Sequence, residues 1–462
     1  MKKNSLIPYF VLVSMLMLGC SKYLDEKPDS NLAYPESAAD LFALMNDVIT
    51  INGGFTGLIE MGSDDYILPQ DTYNEQSVFY QDIYTWQPKP QYEIANISLQ
   101  WLDAYKPISY ANVIEESLDR IKSIQEADRK ILKGSSCFIK GFAYSTLCQV
   151  FSEPFVAGQD NSGLGVVWRE SSDPNSVSKR LTVKESYDRT IALLQEAVDL
   201  LPAGTKNRTK ASKEAALSIL ARTYLYMQDY ERALQYANAT LAIKDNLMDY
   251  TKIDGNLIFP FAAFNEETIY FASVGNAITT IQYYADVPAP VYNLYQDGDL
   301  RKQLFFFEKA PGRIGFRGNY AGMDFGSFIG PTVGELYLIK AECLIRKGDR
   351  SMGLEALKHL LENRWKKDEN GISRFKMPDF SDNDSALRFV LEERRKEMIF
   401  RGARWADLRR LNLDPNYAQT LRRELKINGE SKVFTLPPGD KRYTYCLPDK
   451  VIQQSGVPQT LR

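Results

Sequence analysis

Histidine is almost missing from this chain: one, His359, in 462 residues. Metal centres built on several imidazoles, and histidine-based nucleophilic triads, have almost nothing to draw on. His359 itself falls at a helical position in 353–364, where a packed or solvated ring is the ordinary reading. Cysteine is nearly as scarce, with five. Cys137 and Cys148 lie on one predicted helix at a separation of ~16 Å, beyond the ~7 Å that a disulfide tolerates. With Cys343 and Cys446 they read as buried thiols. Neither sign of charge dominates: 56 basic and 59 acidic residues leave a formal charge of −3, which argues against a nucleic-acid surface. There is no Walker loop, dinucleotide fingerprint or EF-hand spacing. Nothing singles out a catalytic pair among the acids, so neither an enzyme, a cofactor nor a metal site is expected. No apolar run is long enough to span a bilayer.

What the chain does have is aromatic rings, with 27 tyrosines and 23 phenylalanines, and helical periodicity. In 209–241, Leu217, Leu220, Ala221 and Tyr224 share a face, Gln228-Asp229-Tyr230 turns the chain, and Ala233, Ala237 and Thr240 give the next helix a small-residue face. Small residues let a partner helix approach closely, as in tetratricopeptide pairs. Residues 335–364 repeat this around Lys347-Gly348-Asp349; 101–112 with 136–151 form an earlier pair, and 183–201 reads as one helix of a neighbour. Two stretches, 53–90 and 243–331, break the pattern with Gly-, Pro- and aromatic-rich sequence. Insertions of that size in a helical scaffold are usually functional. Residues 434–447 read as a hairpin around Pro437-Pro438-Gly439-Asp440.

Residues 392–411, EERRKEMIFRGARWADLRRL, read as a helical corner. Leu387, Val390, Leu391, Arg394, Arg395, Met398 and Ile399 fall at three- and four-residue steps, setting guanidinium groups within an apolar face. Gly402 can end one helix and let the next leave at an angle. The expectation is that Arg394 or Arg395 is buried against Asp407 or Glu397, that Arg404 pairs with Asp407, and that the corner is a brace rather than a binding site. A phosphate or nucleic-acid patch is the competing reading, and the interleaved acids count against it. The stretch resembles the C-terminal signature of the SusD/RagB family, roughly E-R-R-x-E-L-x-F-E-G-x-R-W-x-D-L-R-R, with Met398 in place of the leucine and Arg401 in place of the acid before Gly402. The resemblance implies a predominantly all-α fold: a tetratricopeptide-like scaffold of about four helical pairs, with long irregular insertions and a short C-terminal hairpin. The family landmarks at Trp101, Tyr105 and Ala111-Asn112 are present. The end of the chain agrees less well.

At the start, Lys2-Lys3, the apolar run 6–18 and Gly19-Cys20 read as an n-region, an h-region and a lipoprotein processing site, with Met17 where leucine is commoner. Cys20 would carry the lipid; an ordinary secretory peptide or a membrane anchor is the alternative. Leu24-Asp25 followed by Pro28 resembles the family's tether, and Asp25-Glu26 resembles a surface-export signal of Bacteroidetes lipoproteins. The expected organisation is a signal peptide at 1–19, a tether at 20–35, an N-terminal helical region at 36–245 and a C-terminal region at 246–462. The resemblance implies a lipid-anchored, outward-facing outer-membrane lipoprotein. It would bind a nutrient, glycan or peptide, and lid a SusC-like TonB-dependent transporter. A surface glycan hydrolase and a tetratricopeptide-like protein scaffold are the alternatives.

The candidate ligand residues are aromatic, because flat rigid faces suit sugar rings and peptide side chains. Trp86 or Tyr73 from the first insertion, and Tyr283, Tyr284 or Tyr320 from the second, are expected to line one exposed concavity. Most other rings in these stretches, Phe305-Phe306-Phe307 included, are expected to pin their own loops. Asp64 and Asp65 either cap the next turn or offer acceptors to a ligand or cation.

Overall fold

Capping side chains start most of the long helices where the periodic pattern begins. The structure, a computed structural model, describes residues 35–92, 98–274, 284–322 and 326–462. Helices of eight residues or more are numbered α1 (Ala38–Met45), α2 (Asp103–Arg120), α3 (Glu126–Val150), α4 (Val183–Leu200), α5 (Lys213–Tyr226), α6 (Tyr230–Leu241), α7 (Val333–Arg346), α8 (Arg350–Glu362), α9 (Asn383–Glu397) and α10 (Arg404–Leu411). Thr182 with Glu185 and Asp382 with Ser385 form reciprocal caps at α4 and α9. Ser212, Asp229 and Thr332 each accept a backbone N–H at the start of α5, α6 and α7.

The helices pack in order: α2 on α3, α3 on α4, α4 on α5, α5 on α6, α6 on α7, and α7 on both α8 and α9. Connections of three residues, 227–229 and 347–349, fold α6 back on α5 and α8 back on α7. Helix α3 is the centre, buried almost continuously from Leu132 to Val150. One apolar cluster takes side chains from Leu41 to Val457, and a second joins α7, α8 and α9 through Leu338, Leu357, Leu360 and Val390. Cys137, Cys148, Cys343 and Cys446 are buried free thiols.

Strands occur only as short antiparallel pairs among the described residues: β1 (Leu164–Trp168) with β2 (Lys179–Thr182), β3 (Ser273–Val274) with β6 (Ser327–Phe328), β4 (Phe306–Ala310) with β5 (Arg313–Phe316), and β7 (Leu421–Ile427) with β8 (Glu430–Leu436). The C-terminal hairpin therefore lies earlier than the sequence reading put it. Its turn is Asn428-Gly429, with φ of 52° and 85° and Ile427 opposite Glu430, the two-residue type in which both central residues need positive φ. The Pro437-Pro438-Gly439-Asp440 stretch instead leads into a single 3-10 turn at Lys441–Tyr443. Proline has no N–H to give a ladder, so that stretch could not continue the sheet.

The corner folds as expected. Helix α9 ends at Glu397, Gly402 adopts φ +67°, and α10 starts at Arg404. A Cβ on Gly402 would sit 3.0 Å from Ile329 Cγ2, so packing as well as backbone conformation favours glycine there.

Candidate functional site

The two insertions meet. Ile67 and Asp286 form an antiparallel bridge in which each N–H donates to the other's carbonyl at 2.9 Å. The strand-like segment after Tyr284 is held on its other side by the β4–β5 hairpin, with Val287 N–H donating to Ile314 O at 2.8 Å. Lys309 Nζ donates to the Ala285 carbonyl at 2.5 Å, and Arg313 grips the Asp286 carboxylate at 2.8 and 3.1 Å. Pieces of chain far apart in sequence thus share one open face. Burial pushes the Lys309 ammonium below its ordinary range, with Asp286 opposing that shift.

Three apolar side chains are exposed on or beside this face: Ile67, Tyr284 (57 % exposed) and Phe307 (42 %). Phe307 follows buried Phe306 in β4, and Glu308 after it is exposed as well. Phe305 and Phe306 are buried, and the Phe306 ring lies edge-on to Tyr295 at 4.8 Å, but the next residue in the strand turns outward. This corrects the expectation that the whole Phe305-Phe306-Phe307 run pins its loop. Opposite Phe307 is Gly315, where a Cβ would come within 2.7 Å of the Phe307 ring and 2.5 Å of Lys309 Cε. The missing side chain lets ring and alkyl stem lie across β5 on the same face. The signal was legible: Glu308 and Lys309 follow the phenylalanines, and Pro311-Gly312 marks a tight turn.

The other aromatic candidates are placed differently. Trp86 is 2 % exposed and donates its indole N–H to the Gly62 carbonyl at 3.0 Å, with the Arg423 guanidinium 4.4 Å over its ring. Tyr73 is buried against Tyr84, ring to ring at 5.8 Å. Tyr320 is fully buried beneath the Arg401 guanidinium, 3.7 Å from its ring centre. The expectation that these three line an exposed concavity is corrected: a large ring gains most by being covered, provided its polar edge finds a partner. Tyr283 and Cys20 lie outside the described residues.

Asp64 and Asp65 neither cap a helix nor face outward as a pair. Asp64 accepts from Arg404 Nε at 2.6 Å and Arg395 Nη2 at 3.0 Å; Asp65 accepts from Arg395 Nε at 3.2 Å. The first insertion is thereby riveted to both arms of the corner. Burial works to raise Asp64, but Arg404 and Arg395 prevail and hold it below the usual carboxylate range. Burial pushes Asp65 up to about 6, against Arg395. Beside them, Glu60 accepts the Gly402 N–H at 2.8 Å and is pushed up to about 8 by burial and by Asp65.

The rest of the corner is a buried ion network. Arg394 Nε donates to Asp407 at 2.9 Å; Arg410 spans Asp407 at 2.8 Å and forks onto Glu342 at 2.5 and 2.8 Å. Burial would raise Glu342, but Arg410 and Arg346 hold it at about 2. Arg404 pairs with Asp64 rather than with Asp407, correcting that detail, because Asp407 is already shared by Arg394 and Arg410. From the second insertion, Arg301 bonds Glu393 at 2.6 Å and Glu397 at 3.2 Å. These long-range partners were not readable from spacing. Among the described residues, no group of three or more His, Cys, Asp and Glu side chains is arranged to hold a metal ion.

Comparison with known proteins gives two matching family models. Residues 22–225 match "SusD-like_3: Starch-binding associating with outer membrane", and residues 333–452 match the SusD family model. The chain is 22 % identical over 375 residues to SusD-like protein P2 of Formosa agariphila, covering 69 % of this chain and 72 % of that one. Among solved structures it is similar to a SusD-like carbohydrate binding protein from Bacteroides vulgatus. That match has a TM-score of 0.67 and 18 % identity, and covers 91 % of this chain and 97 % of the other. It is similar also to a SusD superfamily protein from Bacteroides thetaiotaomicron, with a TM-score of 0.71 and 18 % identity, covering 92 % and 100 %. At such identities the structural likeness speaks for the fold.

Proposed function

Because this chain belongs to the SusD/RagB family, we propose that it is an outward-facing outer-membrane lipoprotein that captures a nutrient, without cleaving it, and lids a SusC-like TonB-dependent transporter. The lipid is carried on Cys20. The nutrient is a glycan ahead of a peptide, a preference supported by the starch-binding description of the family model and by the carbohydrate-binding neighbour. The observation that carries the reading is the Ile67–Asp286 bridge, which brings the two insertions together and leaves Tyr284 and Phe307 exposed around it. Rings with polar edges beside charged side chains are the usual equipment for stacking on a sugar face while hydrogen-bonding its hydroxyls. No helix among the described residues is long and apolar enough to cross a membrane, which is compatible with anchoring by lipid.

The deciding experiment is a glycan array run beside a peptide-library pull-down on the protein lacking its first 20 residues, followed by titration of the best ligand. Binding of a glycan without its turnover, and co-purification of the full-length protein with a large outer-membrane barrel, are expected. Release of shortened products by the pure protein would instead make it a hydrolase.

A further inference from the structure

Where the two insertions meet, Ile67, Phe307, Lys309 and Arg313 stand on one side of the layer that the bridge and the β4–β5 hairpin form. Phe307 and Lys309 both lie across Gly315, since a Cβ built there would come within 2.7 Å of the Phe307 ring and 2.5 Å of Lys309 Cε. Arg313, two residues before Gly315 in β5, shares that side. Its guanidinium reaches Asp286 through Nε at 2.8 Å and Nη2 at 3.1 Å, and Lys309 Nζ stands 3.7 Å from the same carboxylate. Ile67 is directly opposite Asp286 in the bridge, so its side chain points the same way. Across the layer the order is Ile67, Asp286, β5 and β4, which puts the two cationic head groups over Asp286 between apolar flanks.

The charges on this side do not cancel. Asp286 is 8 % exposed and both its oxygens accept from Arg313, whereas the Arg313 side chain is 46 % exposed. The carboxylate is the floor and the guanidinium the outer surface. Because a guanidinium is planar, a fork through Nε and Nη2 turns the two N–H groups of Nη1 away from the carboxylate. Glu308 is opposite Ile314 rather than Gly315, and so belongs to the other side of the hairpin. Two cations over one acid leave a positive charge beside an exposed ring. We propose that this face takes an acidic glycan, whose carboxylate or sulfate accepts from the outer edge of Arg313 while a sugar ring lies against Phe307. The inference rests on the reading above that the face binds a glycan, and it makes Arg313 the residue that tells acidic chains from neutral ones. At Arg313 a neutral hydroxyl merely takes the place of water as acceptor, whereas an anion makes a charge-assisted bond about twice as strong. Lys309 adds charge without being the contact, because its Nζ is held on the Ala285 carbonyl.

The test is a glycan array probed with the full-length protein. It carries oligogalacturonates and κ-carrageenan oligosaccharides, each beside its neutral form, the methyl ester or the desulfated chain, with malto- and xylo-oligosaccharides as further neutral members. An acidic member is expected to bind at least about tenfold more tightly than its neutral form, and to weaken as salt is raised while neutral members do not. Whether the uronate or the sulfate chain leads identifies the anionic group. Calorimetry on variants separates charge from packing. Arg313→Gln should bring acidic and neutral forms level, and Asp286→Asn, which removes the opposing charge, should tighten the acidic form. Weakening in both variants would make the pair a structural clasp and overturn the inference. Neutral members binding as well as acidic ones, or an acidic peptide binding in place of any acidic glycan while neutral glycans still bind, would overturn it and leave glycan capture standing. Failure of every glycan to bind would bring down both.

Discussion

Arg394 shows what a single residue contributes to this fold. Its guanidinium lies in the core, 2.9 Å from Asp407 and 3.6 Å from Glu335, and Glu335 in turn holds Arg222 on α5. Removing one member of a buried pair strands the other, so Arg394→Ala is expected to lower stability by ~3–5 kcal/mol, read as a shift in the urea-unfolding midpoint. An unchanged midpoint would mean that the corner is no brace. Glu60 is the opposite case, a buried carboxyl beside other acids. Its value is about 4.5 unfolded and about 8 folded, so between these the folded chain holds more protons. Its contribution therefore makes stability fall as pH rises from about 4.5 to about 8, and is level above that. Glu60→Gln removes this slope, and the variant should gain ~2–4 kcal/mol on the wild type between pH 5 and 8. Urea titrations at the two values check this. Glu342, held at about 2 by Arg410 and Arg346 against burial, has the opposite sign: its contribution is full above about pH 4.5 and is lost as pH falls towards 2.

Among the elements, the β7–β8 hairpin separates local from tertiary control. Its strand LRRELKI alternates buried and exposed residues along most of its length, and Asn428-Gly429 sets a register in which Leu421 faces Leu436. At φ +85° a side chain on residue 429 is strained, so Gly429→Ala should cost ~1–2 kcal/mol in a thermal melt. A silent substitution would show that the turn does not fix the register. Gln70 clasps Lys426 through its backbone N–H and carbonyl at 2.7 and 3.1 Å, and Arg423 donates to the Ser63 and Tyr84 carbonyls. The hairpin is thus a second clamp on the first insertion.

At the scale of the molecule, the helices give a rigid support and the two insertions are tied to it and to each other. That division predicts a separation of effects. Tyr284→Ala and Phe307→Ala should each weaken ligand binding by ~1–3 kcal/mol while leaving the melting temperature unchanged, because both rings are exposed. Calorimetric titration beside a melt distinguishes this from a packing role, in which the melt would move and the affinity would not. Cys20→Ala should abolish metabolic fatty-acid labelling and release the protein from the membrane fraction, since the acyl chains supply ~0.8 kcal/mol per buried methylene. Labelling retained in that variant would refute Cys20 as the anchor.

The sequence by itself determined whatever depends on neighbours within a few residues. It placed the paired helices through their periodicity, the hinge at Gly402, and the burial of an arginine on the apolar face of α9. It also carried the family signature in 392–411, and with it the kind of fold. Only the tertiary structure decided which rings are covered, because exposure depends on which distant segment arrives to cover them. Trp86 was expected to be exposed and is sealed by Gly62 and Arg423; Phe307 looked buried in a run of phenylalanines and faces out across Gly315. The same holds for charge partners. Asp64 lies some 330 residues before Arg395 and Arg404 in the chain. Coulomb attraction ranks acids by distance in space, and that ranking does not exist until the chain has folded.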